Sequence, residues 1–185
     1  MLDLDYVKEE LHKFGKYVVK ESRANLTRQK KNVSKDLWSS IGYEVTVYPN
    51  SIFVEFFMLE YGMYLDEGVE GKNPMRLPAN AKQHGKQQAP NSRFKFGDGS
   101  GKGLRKGINK WITQKSSFSG QIRDKKGRFI PRKSLQYLIT RSIWYSGIKP
   151  SMFFTKPFEK AFDNLPDEII KAYGLDLDKF FEMTT

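Results

Sequence analysis

Three patterns in this chain predict an α+β fold, with a small antiparallel β-sheet packed against several α-helices and interrupted by a long basic loop and hairpin insertion. Apolar residues recur at helical spacing toward both ends, alternate with period two over 42–58, and thin out in a cation-rich stretch from Gly71 to Lys133. That stretch holds 17 Lys and Arg against Asp98 and Asp124 alone. It carries about +15, while the remainder sums to about −4 and the whole chain to +11.

The first helix rests on Val7, Leu11, Phe14 and Val18, with Asp3 and Asp5 near the positive end of its dipole. It continues through Ala24 and Leu26 and breaks near Gln29 to Asn32, where Arg28, Lys30 and Lys31 crowd together. Ser34 is expected to cap a short second helix carrying Leu37 and Ile41. Tyr43, Val45 and Val47 then alternate with Glu44, Thr46 and Tyr48. After the Pro49-Asn50 turn, Ile52, Val54 and Phe56 alternate with Phe53, Glu55 and Phe57, which predicts a hairpin over about 42–58. Tyr61, Tyr64 and Leu65 mark a helix from Glu60 to Glu67, closed by Gly68 in a left-handed conformation.

Residues 69–100 are poor in aliphatics and rich in Lys, Gln, Asn, Gly and Pro, and so read as loop. Leu104, Ile108 and Trp111 define the next helix. QIRDKKGRFI over 121–130 reads as a short exposed hairpin about a Lys-Lys-Gly turn. Leu135, Leu138, Ile139 and Ser142 form a helix face that ends by Gly147 and Pro150. Thr155 is expected to cap the C-terminal helix, whose stripe is Phe158, Phe162, Leu165, Ile169 and Tyr173 before Gly174. Pro166 kinks or restarts it, and Leu177, Phe180 and Phe181 form a final short turn.

A chain of 185 residues with 38% hydrophobic content, 14 Phe, 9 Tyr and 3 Trp is expected to be a single domain, 1–185, with 72–131 a basic, partly irregular insertion within it. No run approaches the ~18 apolar residues of a membrane span, and the acidic, amphipathic start lacks the blocks of a signal peptide. The expectation is synthesis in the cytoplasm and no membrane partner. Zero cysteines exclude disulfides, thiolate zinc sites and a Cys nucleophile.

Motifs for chemistry are weak. Gly97-Asp-Gly-Ser-Gly-Lys-Gly103 has three residues where a phosphate loop needs four, and Gly103 stands where that loop needs Ser or Thr. His12 and His84 lack metal-ligand partners at suitable spacing, and Ser116, Ser117 and Ser119 lack a nucleophile elbow. Glu55 or Glu60 followed by Glu70-Gly71-Lys72 resembles the carboxylate order of Mg-dependent nucleases, but a core strand is missing beneath it. No enzyme activity, cofactor or metal is therefore expected. Arg93, Lys95, Lys102, Arg105, Lys106, Arg123, Lys125, Lys126 and Arg128, with Phe94 and Phe96 interleaved, are the candidate contacts to DNA or to an acidic partner.

Two stretches say more. Ser34-Lys-Asp-Leu-Trp-Ser-Ser-Ile41 leads into the hairpin, and Glu60-Tyr-Gly-Met-Tyr-Leu-Asp-Glu-Gly-Val-Glu-Gly71 follows it. With Gly147-Ile-Lys-Pro-Ser-Met-Phe-Phe-Thr-Lys-Pro-Phe158 near the end, this order resembles the tail-completion or neck proteins of tailed bacteriophages, the group that includes the lambda Z-type protein. The resemblance spans most of the chain and carries no catalytic residues. It implies a structural virion protein that joins head to tail as a homo-oligomeric ring. Its partners would be the portal or head-tail connector and tail tube or tail terminator proteins, with packaged DNA a further contact. It would be found in host cytoplasm during assembly and in the virion neck afterwards. The long basic insertion departs from compact relatives, so its role is not inherited. Tyr61, Tyr64, Met152, Phe153 and Phe154 are the expected partner interface, because three consecutive large apolar residues cannot all be buried by one element. The alternatives are a nucleic-acid-binding protein without sequence specificity and, third, a Mg-dependent nuclease.

Overall fold

The computed structural model describes residues 4–31, 34–48, 51–72, 87–97, 102–114, 123–124 and 126–184. Within them the chain forms, in order, α1 (Asp5–Arg28), α2 (Asp36–Ser40), β1 (Gly42–Tyr48), β2 (Ser51–Phe57), α3 (Tyr61–Glu67), α4 (Lys102–Gln114), α5 (Arg132–Ser146), α6 (Thr155–Phe162) and α7 (Leu165–Thr184). Seven helices and one two-stranded antiparallel sheet among the described residues make this the α+β class that the periodicities predict. The chain divides into two units, residues 1–59 with 152–185, and residues 60–151. The second unit contains the anticipated insertion, 72–131, together with α3 before it and α5 after it.

In the first unit, α1 buries the stripe its spacing announces. Val7, Phe14, Val18, Ser22 and Leu26 face inward, and the helix ends at Arg28, where the charge run begins. Phe14 and Val18 pack with Leu165 of α7, and Val54, Phe56, Phe154 and Phe158 close around them. The rings meet mostly edge to face: Phe14 to Phe56 at 5.8 Å, Phe14 to Phe158 at 5.6 Å and Phe56 to Phe154 at 5.4 Å, an arrangement that adds quadrupole attraction to area burial. One buried carboxylate completes the unit. Asp176 of α7 accepts from the backbone amides of Tyr6 (3.0 Å) and Val7 (3.1 Å), at the α1 N-terminus, where Leu4 offers no side-chain cap. The negative charge also meets the positive end of the α1 dipole.

Three expectations about helix ends need correction. Ser34 does not cap α2, because Lys35 stands between it and the first turn in a left-handed conformation, φ +60. Thr155 is the first residue of α6 rather than its cap, and Phe154 before it is already helical. Gly174 does not end the last helix. α7 runs through it, since Ala172 before and Asp176 after are both buried, and that outweighs the ~1 kcal/mol a glycine costs in a helix. The stripe shifts accordingly: Phe162 and Tyr173 are exposed, while Leu165, Ile169, Ala172 and Asp176 face inward. Pro166 sits in the first turn of α7, where the chain restarts its helix.

In the second unit a main-chain crossing ties three segments together. Val69 and Ile148 exchange both amide hydrogen bonds, at 3.0 and 2.8 Å. Gly68 (φ +77, ψ −179) and Gly147 (φ +81, ψ −175) each precede one of these residues in a region that only glycine reaches at low cost. A Cβ on Gly147 would stand 2.3 Å from the Val69 carbonyl oxygen. Around this crossing, Glu70 N donates to Phe94 O at 2.7 Å and Lys72 N to Trp144 O at 2.9 Å. The Gln87 amide receives from Gly71 N (3.0 Å) and donates to Gly71 O (2.8 Å), as a strand neighbour would. The described parts of the 69–100 loop are thus without helix but firmly tied.

α4 turns Leu104, Ile108, Trp111 and Ile112 away from solvent, as expected. It runs antiparallel to α5: Arg132 donates to Asn109 Oδ1 at 3.0 Å and to Thr113 Oγ1, and Gln136 donates to Arg105 O at 2.8 Å. On α5, however, Leu138 and Ser142 face outward, and Leu135, Ile139, Thr140 and Ile143 take the inner positions. Of the turn expected within 121–130, Lys126 and Gly127 are described: Gly127 has φ +77 and its amide donates to Asp124 O at 2.9 Å. Among the described residues the flanks pair through an Arg123/Phe129 bridge, and Gln121, Ile122 and Lys125 lie outside the described residues.

Candidate interaction surfaces

Adjacent side chains of the β1–β2 hairpin point to opposite faces, and the register decides which residues share one. Tyr43/Phe56, Val45/Val54 and Val47/Ile52 form the inner face. Gly42/Phe57, Glu44/Glu55, Thr46/Phe53 and Tyr48/Ser51 form the outer one. Phe53 and Phe57 are 50% and 54% exposed, and Tyr48 lies edge-on to Phe53 at 5.7 Å. Between the two phenylalanines, Glu44 and Glu55 stand directly opposite each other. No cation among the described residues pairs with either, and like charges in such a position destabilise the strand pair. The sequence contained this signal, but an alternating Phe-Val-Glu-Phe-Phe run does not say which face the core will take.

Beside the hairpin lies a groove of about 900 Å³ between α1 and the start of β1. Trp38, Ile41, Tyr43 and Phe57 line it with apolar surface, and Lys16, Lys20, Arg23 and Arg28 bring positive charge. The Arg23 guanidinium lies 4.7 Å from the centre of the Trp38 ring and donates to Ile41 O at 2.8 Å. Cations at 16, 20 and 23 share one side of a helix, a spacing whose meaning depends on Trp38 arriving beside them.

The expected interface set divides. Tyr61 and Tyr64 of α3 are exposed at their rims, Tyr64 lies edge-on to Phe94 at 4.7 Å, and its hydroxyl donates to Glu60 at 3.3 Å. Met152 is 41% exposed and held at φ +48. Phe153 is fully buried and so withdraws from the set, and Asn25 Nδ2 donates to its carbonyl at 3.3 Å. Phe154 also turns toward the core, stacking on Phe158.

The cations divide similarly. Arg93 pairs with Glu67 at 2.5 Å and lies over Phe94, Lys95 pairs with Glu70 at 3.0 Å, and Arg128 pairs with Asp124 at 3.0 Å. Arg123 lies 4.3 Å from the Phe129 ring centre and donates to Gly127 O. Arg105, Lys106 and Lys126 are exposed without a carboxylate partner among the described residues. The Lys102 side chain and Lys125 lie outside what is described. Phe94 meets the Arg93 guanidinium on one side, yet neither it nor Phe96 is offered to solvent as a free ring. They turn inward onto Tyr64 and Trp144, the latter stacked at 5.3 Å, because a ring gains more by leaving water. What the sequence reading missed is the outward stripe of α5, Lys133, Tyr137 and Arg141, with Leu138 beside it. Tyr137 and Leu138 are about half exposed, and Arg141 reaches the Tyr137 hydroxyl at 3.3 Å.

The 123–129 turn is organised by Asp124. Its carboxylate accepts from the Arg128 amide (2.9 Å), the Arg128 guanidinium (3.0 Å) and the Lys126 amide (2.9 Å). These donors, the Arg128 amide foremost, hold the carboxyl below the usual aspartate range.

The carboxylates of the nuclease-like order each have other neighbours. Glu70 is engaged by Lys95, Glu60 by Tyr64, and Glu55 faces Glu44 across the hairpin. His12 meets the Tyr43 hydroxyl at 3.3 Å, and His84 lies outside the described residues. Among the described residues no group of three or more His, Asp or Glu is arranged to hold a metal, and no helix is long and apolar enough to cross a membrane. Comparison with protein-family models, with curated proteins and with solved structures finds no match.

Proposed function

We propose that this chain is a structural virion protein of the phage neck or tail-completion type, joining the head connector to the tail during assembly as a self-associated adaptor. The observation that carries the reading is the uncovered outer face of the β1–β2 hairpin. Half-exposed Tyr48, Phe53 and Phe57 surround two opposed carboxylates on a sheet that has only two strands among the described residues. Two-stranded sheets are marginal alone, and aromatic rings are enriched where protein surfaces meet partners. The order of Leu-x-x-Ser-Ile, hairpin and Tyr-x-x-Tyr-Leu-Asp-x-Gly supports the same reading. In it, the partners are the portal or connector on one side and tail tube or terminator proteins on the other. The chain acts first in host cytoplasm and then in the virion.

The test is assembly without this chain. Filled heads and complete tails should accumulate unattached in electron micrographs, and purified chain should restore joining. Joined, infectious particles made in its absence would overturn the proposal.

One observation favours a second reading, nucleic-acid binding without sequence specificity: the cations Arg105, Lys106 and Lys126 lack carboxylate partners among the described residues. On that reading, affinity for random duplex DNA, read by fluorescence anisotropy, falls steeply between about 50 and about 200 mM salt. It also drops when Arg105 and Lys106 are both replaced by Ala. An adaptor binds free DNA weakly at either salt.

A further inference from the structure

We infer that the outer face of the β1–β2 hairpin is the docking site for a second copy of this chain, and that the surface it receives is the outward stripe of α5. The inference rests on the proposed self-association, and not on the joining of heads to tails.

Glu44 and Glu55 are opposed, exposed and without a cation among the described residues, and apolar rings flank them. Such a face suits a surface of opposite sign that also brings apolar area. The chain itself carries one. Lys133, Tyr137 and Arg141 recur every four residues along α5, with Leu138 beside them, and no carboxylate among the described residues pairs with Lys133 or Arg141. Among the other cations, Arg93, Lys95 and Arg128 are already matched by carboxylates of their own unit.

The dimensions agree. Residues 133 and 141 lie about 12 Å apart along a helix, and residues 53 and 57 about 13 Å apart along a strand. Laid along the hairpin, the stripe brings Lys133 and Arg141 over the two rings, from which their long side chains reach inward to the carboxylates, and sets the Tyr137 hydroxyl opposite Glu44 and Glu55 in the middle.

Charge also decides the symmetry. Two hairpin faces laid together would oppose four carboxylates, and two α5 stripes would oppose four cations. Contact of hairpin with α5 leaves each copy one face of each kind still to fill. That is a head-to-tail interface, which closes into a ring or continues as a filament.

Sedimentation velocity of the full chain over a range of concentrations tests this. Glu44→Lys with Glu55→Lys, and separately Lys133→Glu with Arg141→Glu, should each weaken self-association about tenfold or more, as close charge pairs do when reversed. An equimolar mixture of the two variants should associate again, because each then offers the face the other lacks. Far-UV circular dichroism confirms that both variants keep the native helix content. The inference is overturned by a native chain that stays monomeric, by reversals that leave association unchanged, or by a mixture of folded variants that does not associate. Joining of heads and tails is scored independently, so its failure is distinguishable from failure of this contact.

Discussion

The two units are stabilised by different means. The first encloses a side-chain core, in which Phe14, Val18 and Leu165 leave water and Phe56, Phe154 and Phe158 close around them. The second is tied through its main chain, with 68–72, 87–95 and 144–148 hydrogen-bonded to one another and glycines where the crossing leaves no room for a Cβ. A side-chain core responds to volume and a backbone crossing to conformation, so substitutions should separate them.

The largest effect is expected from Phe153→Ala, which empties a fully buried aromatic site and should cost about 3–5 kcal/mol. Hydrogen exchange should then show lost protection in α1, α6 and α7. Gly147→Ala should cost about 3 kcal/mol from positive φ and the close Val69 carbonyl. Its lost protection should concentrate in the amides of Val69, Lys72 and Ile148. Equal loss in both units from either substitution would break the distinction. Asp176→Ala sharpens it, since removing the buried acceptor of the Tyr6 and Val7 amides should cost about 2 kcal/mol by chemical denaturation and fray α1 from its start.

Smaller effects concern the charged surfaces. Because the Asp124 carboxyl is held below the aspartate range, the unfolded state takes up protons first as pH falls. The turn's contribution is therefore complete above the ordinary aspartate value and is lost as pH drops through the lowered one. Amide shifts of Lys126 and Arg128 should titrate with a midpoint below that of an aspartate in an unstructured peptide, and Asp124→Asn should abolish the transition. Smallest is Glu44→Gln with Glu55→Gln, which relieves a like-charge pair and should raise the melting midpoint of the dilute chain by about 1–3 °C while weakening self-association.

Sequence patterns disclosed the first unit better than the second for the same physical reason. The α1 stripe and the hairpin are written in side-chain periodicity, and both formed where expected. Gly68, Gly147 and Gln87 act through main-chain bonds, which periodicity does not record. Pairing with a distant segment also hid the orientation of α5: Leu138 reads as core until Arg132 and Gln136 are seen tying the helix to α4 by another side. The basic stretch was legible as a total but not by residue, because Glu67, Glu70 and Asp124 neutralise particular members of it only after folding. The burial of Phe153 beside exposed Met152 was likewise out of reach of a rule about consecutive apolar residues.

The central claim is that this chain completes its exposed surfaces with neighbours at the junction of head and tail. A three-dimensional reconstruction of that junction in joined particles tests it most directly. The account predicts copies of this chain around the axis, with Phe53 and Phe57 of each covered by the α5 stripe of the next. A junction built without this chain, or one in which those two rings face solvent, would contradict it.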